Sequence, residues 1–378
     1  MSLFFLAIFA VYGGMHVYTF FRARNVLGFG HGAGAALAVF MLAMTCAPFF
    51  IRLLERYEYQ LAARVLSYIA YLWMAALFLF FCSSIVLDLV NVLVRITALI
   101  PRIDLPGSIP VKSSFVISIG LSLAICVYGY FDALNIRTER LRIETAKLPE
   151  SVSRLTIVQI SDVHLGLIVG CSRLKKIVDI VKAEKPDIFV STGDLVDAQI
   201  NNMEGMADLL RSVHAPYGNY AITGNHEYYA GIRQALAFTR ECGFTLLRGE
   251  AAKNDAINIV GVDDPSGVQL KVDKPEAETA LLSALPKDRF TLLLKHRPVV
   301  DQDAAKLFDL QLSGHTHKGQ IYPFTYVSDI AYPLNSGRFN LPAGSILYVS
   351  RGTGTWGPPI RFLSPPQITV IELVRKKG

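Results

Sequence analysis

The chain has 378 residues, 52% hydrophobic and 18% charged, with a net charge of +6 and a mean hydropathy of +0.37. Residues 1–134 hold eight basic against five acidic side chains, and the other +3 is diluted over 244 residues. That leaves no basic stripe able to neutralise a row of phosphates, so no nucleic acid is expected as a partner.

The apolar excess lies at one end. Leu3–Phe21, Asn25–Ile51, Val65–Leu87 and Ser113–Phe131 carry no charged residue, and each is near or above the ~20 residues a helix needs to cross hydrocarbon. An all-α transmembrane four-helix region is therefore predicted over 1–134, with helices at about 3–21, 26–50, 65–87 and 113–131. The first segment lacks a basic leader, and "FFRAR" follows it without a small-residue cleavage site. It reads as a retained helix and not a signal peptide. "GFGHGAG" spaces Gly28, Gly30, Gly32 and Gly34 for close helix packing. Intramembrane ionisable groups are too few for a transport pathway, which leaves an anchor.

From about Asn135 the pattern changes. "RLRIETAKL" alternates as a strand does, "RLTIVQIS" is a buried-strand run, and "SRLKKIVDIVKAEKP" has helical period and stops at Pro186. "DIFVST" is extended, "MADLLRSV" helical, "GNYAIT" extended, and "GIRQALAFTRECG" a helix ending at Gly243. "FTLLR", "INIVGV", "FTLLLK", "FDLQLS", "SILYVS" and "QITVIEL" are further strands. The alternation predicts an α/β domain over 135–378 with helix-covered sheets. The five cysteines form no CxxC pair and indicate neither a disulfide framework nor a thiolate metal site.

Polar clusters recur where these strands end. "QISDVHLG" carries Asp162 and His164, "VSTGDLVD" carries Asp194, and "AITGNHEYY" carries Asn225, His226 and Glu227. "LLLKHRPVV" carries His296, and "LSGHTHKGQ" carries His315 and His317. Singly, each is an ordinary cap, turn or satisfied histidine. Jointly, five strand-end clusters rich in Asp, Asn and His are hard to obtain by chance, and loops at strand ends of α/β folds gather functional groups. Carboxylate, imidazole and amide donors without thiolate suit Mn, Fe, Zn, Co or Ni. Their number exceeds one tetrahedral zinc and suits two ions sharing a carboxylate.

The order Asp-x-His, Gly-Asp, Gly-Asn-His-Glu, His, Gly-His-x-His resembles the calcineurin-like metallophosphoesterase family over about 150–318. "SRGTGTWGPPIRF" is similar to its bacterial membrane-associated branch. The resemblance implies a four-layer α/β/β/α sandwich and two divalent metal ions, with manganese the first expectation. It implies that Asp162, His164 and His317 hold one metal, that Asn225, His296 and His315 hold the other, and that Asp194 bridges them. His226 would be the catalytic, non-ligand histidine near the leaving group, acting as a general acid, with a metal-bridging hydroxide as nucleophile. Glu227 is expected to orient a neighbour without ligating, and Asp197 to be structural or to orient a ligand from behind.

Protein Ser/Thr phosphatases of this family carry Arg where "GDLVDAQ" has Ala198, which argues against phosphoprotein substrates. Lys318 stands where the membrane branch commonly has Gly. Arg351 and Lys318 are the expected substrate-binding residues, Arg351 the better suited because a guanidinium matches phosphate bidentately. Residues 321–342 hold five aromatics and two charges, which reads either as a loop at the bilayer interface or as a hairpin packed on the domain's own core. Membrane lipids and a lipid-linked phosphodiester or pyrophosphate, such as a UDP-diacylglucosamine-type precursor or a phospholipid, are the expected partners. The alternatives are a tethered phosphodiesterase for soluble nucleotides and a non-catalytic metal-binding scaffold. Seven basic residues flank the side bearing the 135–378 domain and five the other, which places that domain on the cytoplasmic face of a bacterial inner membrane.

Overall fold

The computed structural model describes residues 3–100, 107–197, 200, 203–252, 254–274 and 277–376, with side chains from residue 10 onward. Ala198 lies outside them. The chain forms two compact units, Met1–Phe131 with Pro358–Ile360, and Asp132–Gly357 with Arg361–Gly378.

The first unit is built from α1 (Leu3–Leu27), α2 (His31–Arg56), α3 (Gln60–Thr97) and most of α4 (Val111–Leu134). These helices overrun their apolar windows, because charged flanks do not interrupt backbone hydrogen bonding. At ~1.5 Å per residue α3 is ~57 Å long, nearly twice a hydrocarbon core of ~30 Å. Among the described residues, three helices are long and apolar enough to cross a membrane: α2, α3 and α4. The expectation of four spans is corrected to three candidates. The last two turns of α1 carry Arg22 and Arg24, and Arg22 is spent on Asp88 of α3 at 2.7 Å. The glycine reading is corrected too. Of the "GFGHGAG" glycines only Gly34 has neighbours near its Cβ position, the Phe29 and Phe20 rings. Gly28 and Gly30 fall between helices.

The second unit is α/β. Its helices are α5 (Cys171–Ala183), α6 (Met206–Arg211), α7 (Asn225–Ala230), α8 (Ile232–Glu241), α9 (Ser266–Gln269), α10 (Glu278–Ser283) and α11 (Thr325–Ala331). Its strands are β1 (Arg137–Thr145), β2 (Arg154–Ile160), β3 (Ile188–Ser191), β4 (Asn219–Ala221), β5 (Thr245–Leu246), β6 (Glu250–Ala252), β7 (Asn258–Gly261), β8 (Thr291–Leu294), β9 (Leu310–Ser313), β10 (Gly337–Asn340), β11 (Ile346–Val349) and β12 (Gln367–Arg375). They form two six-stranded sheets, ordered β1-β12-β2-β3-β4-β5 and β10-β11-β9-β8-β7-β6.

Strand alternation sorts the side chains into layers. Leu155 and Ile157 of β2, with Ile188 and Val190 of β3, meet Leu292, Leu294, Leu310 and Leu312 between the sheets. Val158, Ile160 and Phe189 face the other way, onto Leu174 and Ile177 of α5, Leu210 of α6 and Phe238 of α8. Leu293 and Val260 leave the second sheet on its outer side and pack on Leu282 of α10 and on Ala304 and Phe308. The result is helix, sheet, sheet, helix: the expected four-layer sandwich. Within each sheet the central strands are parallel, so the loops after β2, β3, β4, β8 and β9 all leave from carboxyl ends.

Candidate metal centre

Those loops bring the predicted residues together. Asp162, His164 and His317 present ligand atoms within 4.8 Å of one another, and so do Asp194, His296 and His315. His317 Nε2 lies 3.6 Å from an Asp162 oxygen and 3.0 Å from His164 Nε2. In the second triad His296 Nε2 is 3.2 Å from Asp194 Oδ2 and 3.2 Å from His315 Nδ1. Asp194 Oδ2 also lies 3.9 Å from His164 Nε2, so one carboxylate oxygen faces both triads. The two imidazoles of "GHTH" divide between the triads.

The backbone is bent to achieve this. Asp162, His164, Asp194, His315 and His317 all have φ between +48 and +72. Left-handed backbone is uncommon outside glycine, and it collects where function over-determines the fold. Five such residues among the seven expected ligands mark the loops as shaped around the site. Two glycines let the loops close. A Cβ on Gly224 would strike the Asp194 carboxylate, and one on Gly314 would strike Asp162 and Ser161.

The remaining hydrogen bonds hold donors in place. Asp162 accepts from the His315 amide at 2.8 Å and from the Ser161 hydroxyl, and Asp194 accepts from the His226 amide at 2.8 Å. His296 Nδ1 lies 2.8 Å from the Thr192 carbonyl, and His315 Nε2 lies 3.0 Å from the Tyr332 hydroxyl. Tyr332, noted in the sequence only as one aromatic of 321–342, thus aims a ring at the site. Glu227 belongs to neither triad. Its buried carboxylate accepts from the amides of Gly224, Asp194 and Leu195 at 2.7 to 3.0 Å, tying the β3 and β4 loops together in the orienting role expected of it.

Crowding carboxylates and imidazoles away from water shifts their protonation. Burial raises the Asp162 carboxyl. Burial would also lift Asp194, but His296 and His226 hold it well below the usual range. Burial lowers His296, yet Asp194 and Asp162 outweigh it and raise it to about 10. Burial and the His296 charge push His315 down to about 3, and burial with Arg361 holds His317 well below its usual value. The donors of this space suit cations. The buried Asn225 Oδ1 supports that fit, since no hydrogen-bond partner reaches it and an unpaired buried acceptor is costly. Asp and His donors with one amide oxygen match borderline divalent ions.

His226 sits against the first triad, its ring 4.5 Å from that of His164. Its Nδ1 is 2.7 Å from the Asp197 carbonyl and 3.2 Å from an Asp197 carboxylate oxygen, and the same oxygen lies 3.6 Å from His164 Nδ1. Burial would lower His226, but Asp194 and Asp197 raise it to about 9. Asp197 therefore orients His226 and stands beside His164. Replacing it with Asn is expected to cut turnover about 10–100-fold with both metal equivalents retained, the usual loss when a group behind a ligand is removed. Unchanged turnover at full metal content would remove Asp197 from this role.

Arg351 and Lys318 stand outside the triads. The Arg351 guanidinium is spent on Glu139 at 2.6 Å and on the Pro365 carbonyl, so an anion would have to displace that pair. Lys318 is half-buried at φ +50, and among the described residues no carboxylate lies within ion-pair range of it. Arg361 was missed. It is fully buried and its Nη2 is 2.9 Å from His317 Nδ1. The available signal was one Arg inside the apolar run "PPIRFLSPP".

A family model described as calcineurin-like phosphoesterase matches residues 155–319. An uncharacterized metallophosphoesterase of Aquifex aeolicus is 37% identical over 258 residues, which are 68% of this chain and 98% of that protein. An uncharacterized metallophosphoesterase of Bacillus subtilis is 34% identical over 266 residues, 65% of this chain and 89% of its own. A Danio rerio protein named as a transmembrane protein with metallophosphoesterase domain is 32% identical over 272 residues, covering 68% of this chain and 62% of its own.

Proposed function

This chain belongs to the calcineurin-like phosphoesterases, a metallophosphoesterase with helices able to cross a membrane, and we propose that it hydrolyses a phosphodiester or pyrophosphate bond in a lipid-linked substrate. The observation that carries the reading is the pair of buried triads sharing Asp194, joined to a phosphoesterase chain with three candidate spans. Asp162, His164 and His317 would hold one divalent ion, and Asn225, His296 and His315 the other, manganese first, with Asp194 between them. Bound cations would neutralise phosphoryl oxygens and acidify a water.

The chain's own residues do the rest. Asp197 and its carbonyl hold His226 by Nδ1, leaving Nε2 to donate a proton to the departing oxygen. Glu227 fixes the loops that carry Asp194 and Asn225. The same proposal puts the site on the cytoplasmic face of a bacterial inner membrane. The support for it is the count of seven basic residues on the side that carries the 135–378 domain against five on the other.

The test uses the full chain purified in detergent, with a diacylated sugar nucleotide, a phospholipid and a soluble aryl phosphodiester as substrates. Two metal equivalents per chain, turnover of a lipid substrate, and loss of that turnover on chelation with recovery on adding Mn are expected. Turnover of the aryl diester alone would replace the lipid reading with a tethered phosphodiesterase for soluble substrates. Two bound ions with no turnover of any substrate would replace it with a metal-binding scaffold.

A further inference from the structure

The strand register shows at which edge of its sheet the chain enters the second unit. Only Asn135 and Ile136 separate α4 from β1, a connection of at most ~11 Å. At ~1.5 Å per residue the 24 residues of α4 measure ~36 Å against a hydrocarbon core of ~30 Å, so a spanning α4 ends in the headgroup layer. The start of β1 is therefore held at the membrane surface.

That start lies at the catalytic edge. Arg137 pairs with Gln367 at the start of β12. β12 runs antiparallel to β2, with Thr369 opposite Gln159, so Gln367 is level with the carboxyl end of β2. Thr353 ties the two, its hydroxyl donating to the Gln367 carbonyl at 2.8 Å and its amide to the Ser161 carbonyl at 2.7 Å. Asp162 is the next residue. Two strand spacings, ~10 Å, separate where the chain leaves the membrane from the first metal triad. Arg173 reinforces this end, bonding the Ala133 carbonyl at 2.6 Å and the Thr355 hydroxyl at 3.1 Å.

The same edge carries exposed apolar side chains. α11 begins six residues after Gly319 and is pinned to the His315–His317 loop, Thr325 donating to the Lys318 carbonyl and the buried Ser328 to Asn335. Its other side exposes Tyr326, Val327 and Ile330, the last 84% accessible. Trp356, also exposed, sits 6.1 Å from the His226 ring, and Leu363 follows in the same loop. Exposed apolar and aromatic groups on one rim mark an interaction surface, and aromatic side chains suit the headgroup layer.

We infer that the catalytic edge of the second unit rests on the bilayer, with the outer side of α11 and the side chains of Trp356 and Leu363 seated in the headgroup–acyl boundary, so that a headgroup phosphate reaches the metal triads without its lipid leaving the membrane. The occupant of this surface is lipid. The inference deepens the lipid-linked reading and rests on it for its purpose, while its geometry is tested separately.

The full chain is placed in phosphatidylethanolamine–phosphatidylglycerol nanodiscs as Cys171→Ser, which removes the exposed cysteine, with a spin label at Ile330→Cys. A second sample carries the label at Glu144→Cys, near the far end of β1, and unlabelled-site Cys171→Ser gives the baseline. At position 330 relaxation by oxygen is expected to exceed that by an aqueous nickel chelate, and at 144 the reverse. In parallel, Ile330→Asp is expected to lower lipid-substrate turnover about tenfold or more and to leave the aryl diester unchanged. A label at 330 as open to nickel as that at 144 overturns the inference, even if lipid is hydrolysed. A label at 330 in the bilayer with only aryl-diester turnover sustains it and overturns the lipid-linked reading instead.

Discussion

Replacing His226 with Ala is expected to lower kcat about 10²–10⁴-fold, the span of a lost general acid, with both metal equivalents still bound. Metal retention follows from the geometry. His226 approaches the first triad edge-on, and each triad is complete without it. The loss should depend on the leaving group. A nitrophenolate departs without a proton, so its ester should lose least, whereas an alkoxide from a lipid or sugar needs the proton His226 supplies. Measuring kcat across a series of leaving groups, with metal content by mass spectrometry on each sample, checks both halves. An equal loss for every leaving group would assign His226 to charge stabilisation and not to proton donation. Loss of one metal equivalent would make it a ligand.

How much of this was legible depends on how local each signal is. The strands "RLTIVQIS" and "FTLLLK" announce themselves by composition, and each expected site residue follows such a run, so the site could be listed from strand ends alone. Division of "GHTH" between two triads was available only through family resemblance, because two αL residues, His315 and His317, override the alternation of an extended chain. The bonds of Arg351 to Glu139 and of Tyr332 to His315 span 212 and 17 residues. Side-chain partners at such separations leave no trace in periodicity. The segment 321–342 read as loop or hairpin because its aromatics mask a seven-residue helix, α11, too short to show a period. The first helix has an uncharged run of spanning length, but its side chains before residue 10 lie outside the described residues, and the three candidate spans are α2, α3 and α4.

The second large effect is expected at Arg361, a buried cation with no carboxylate partner among the described residues. Its guanidinium donates instead to the carbonyls of Gly354, His317, Arg351 and Ser364 and to His317 Nδ1. Burial and the nearby Arg173 charge lower it to about 9, the signature of a charge held by dipoles. Arg361→Met would strand those carbonyls without donors. Breaking such a buried network costs about 3–5 kcal/mol, which for a domain of this size is a fall in Tm of roughly 6–20 °C. Arg361→Lys should recover less than half, because one ammonium cannot reach every acceptor of a planar fork. A guanidinium is always a donor, so His317 Nδ1 accepts and the ring's own proton sits on Nε2, from which a bound cation must displace it. Without Arg361 the ring is free to turn, and affinity for one of the two metal equivalents should weaken about 10–100-fold. Thermal unfolding at saturating Mn, together with metal titration of the variant, separates the two effects. A lower Tm with both affinities unchanged would make Arg361 a purely structural residue, whereas selective loss of one equivalent in a variant that remains folded would show that it positions His317.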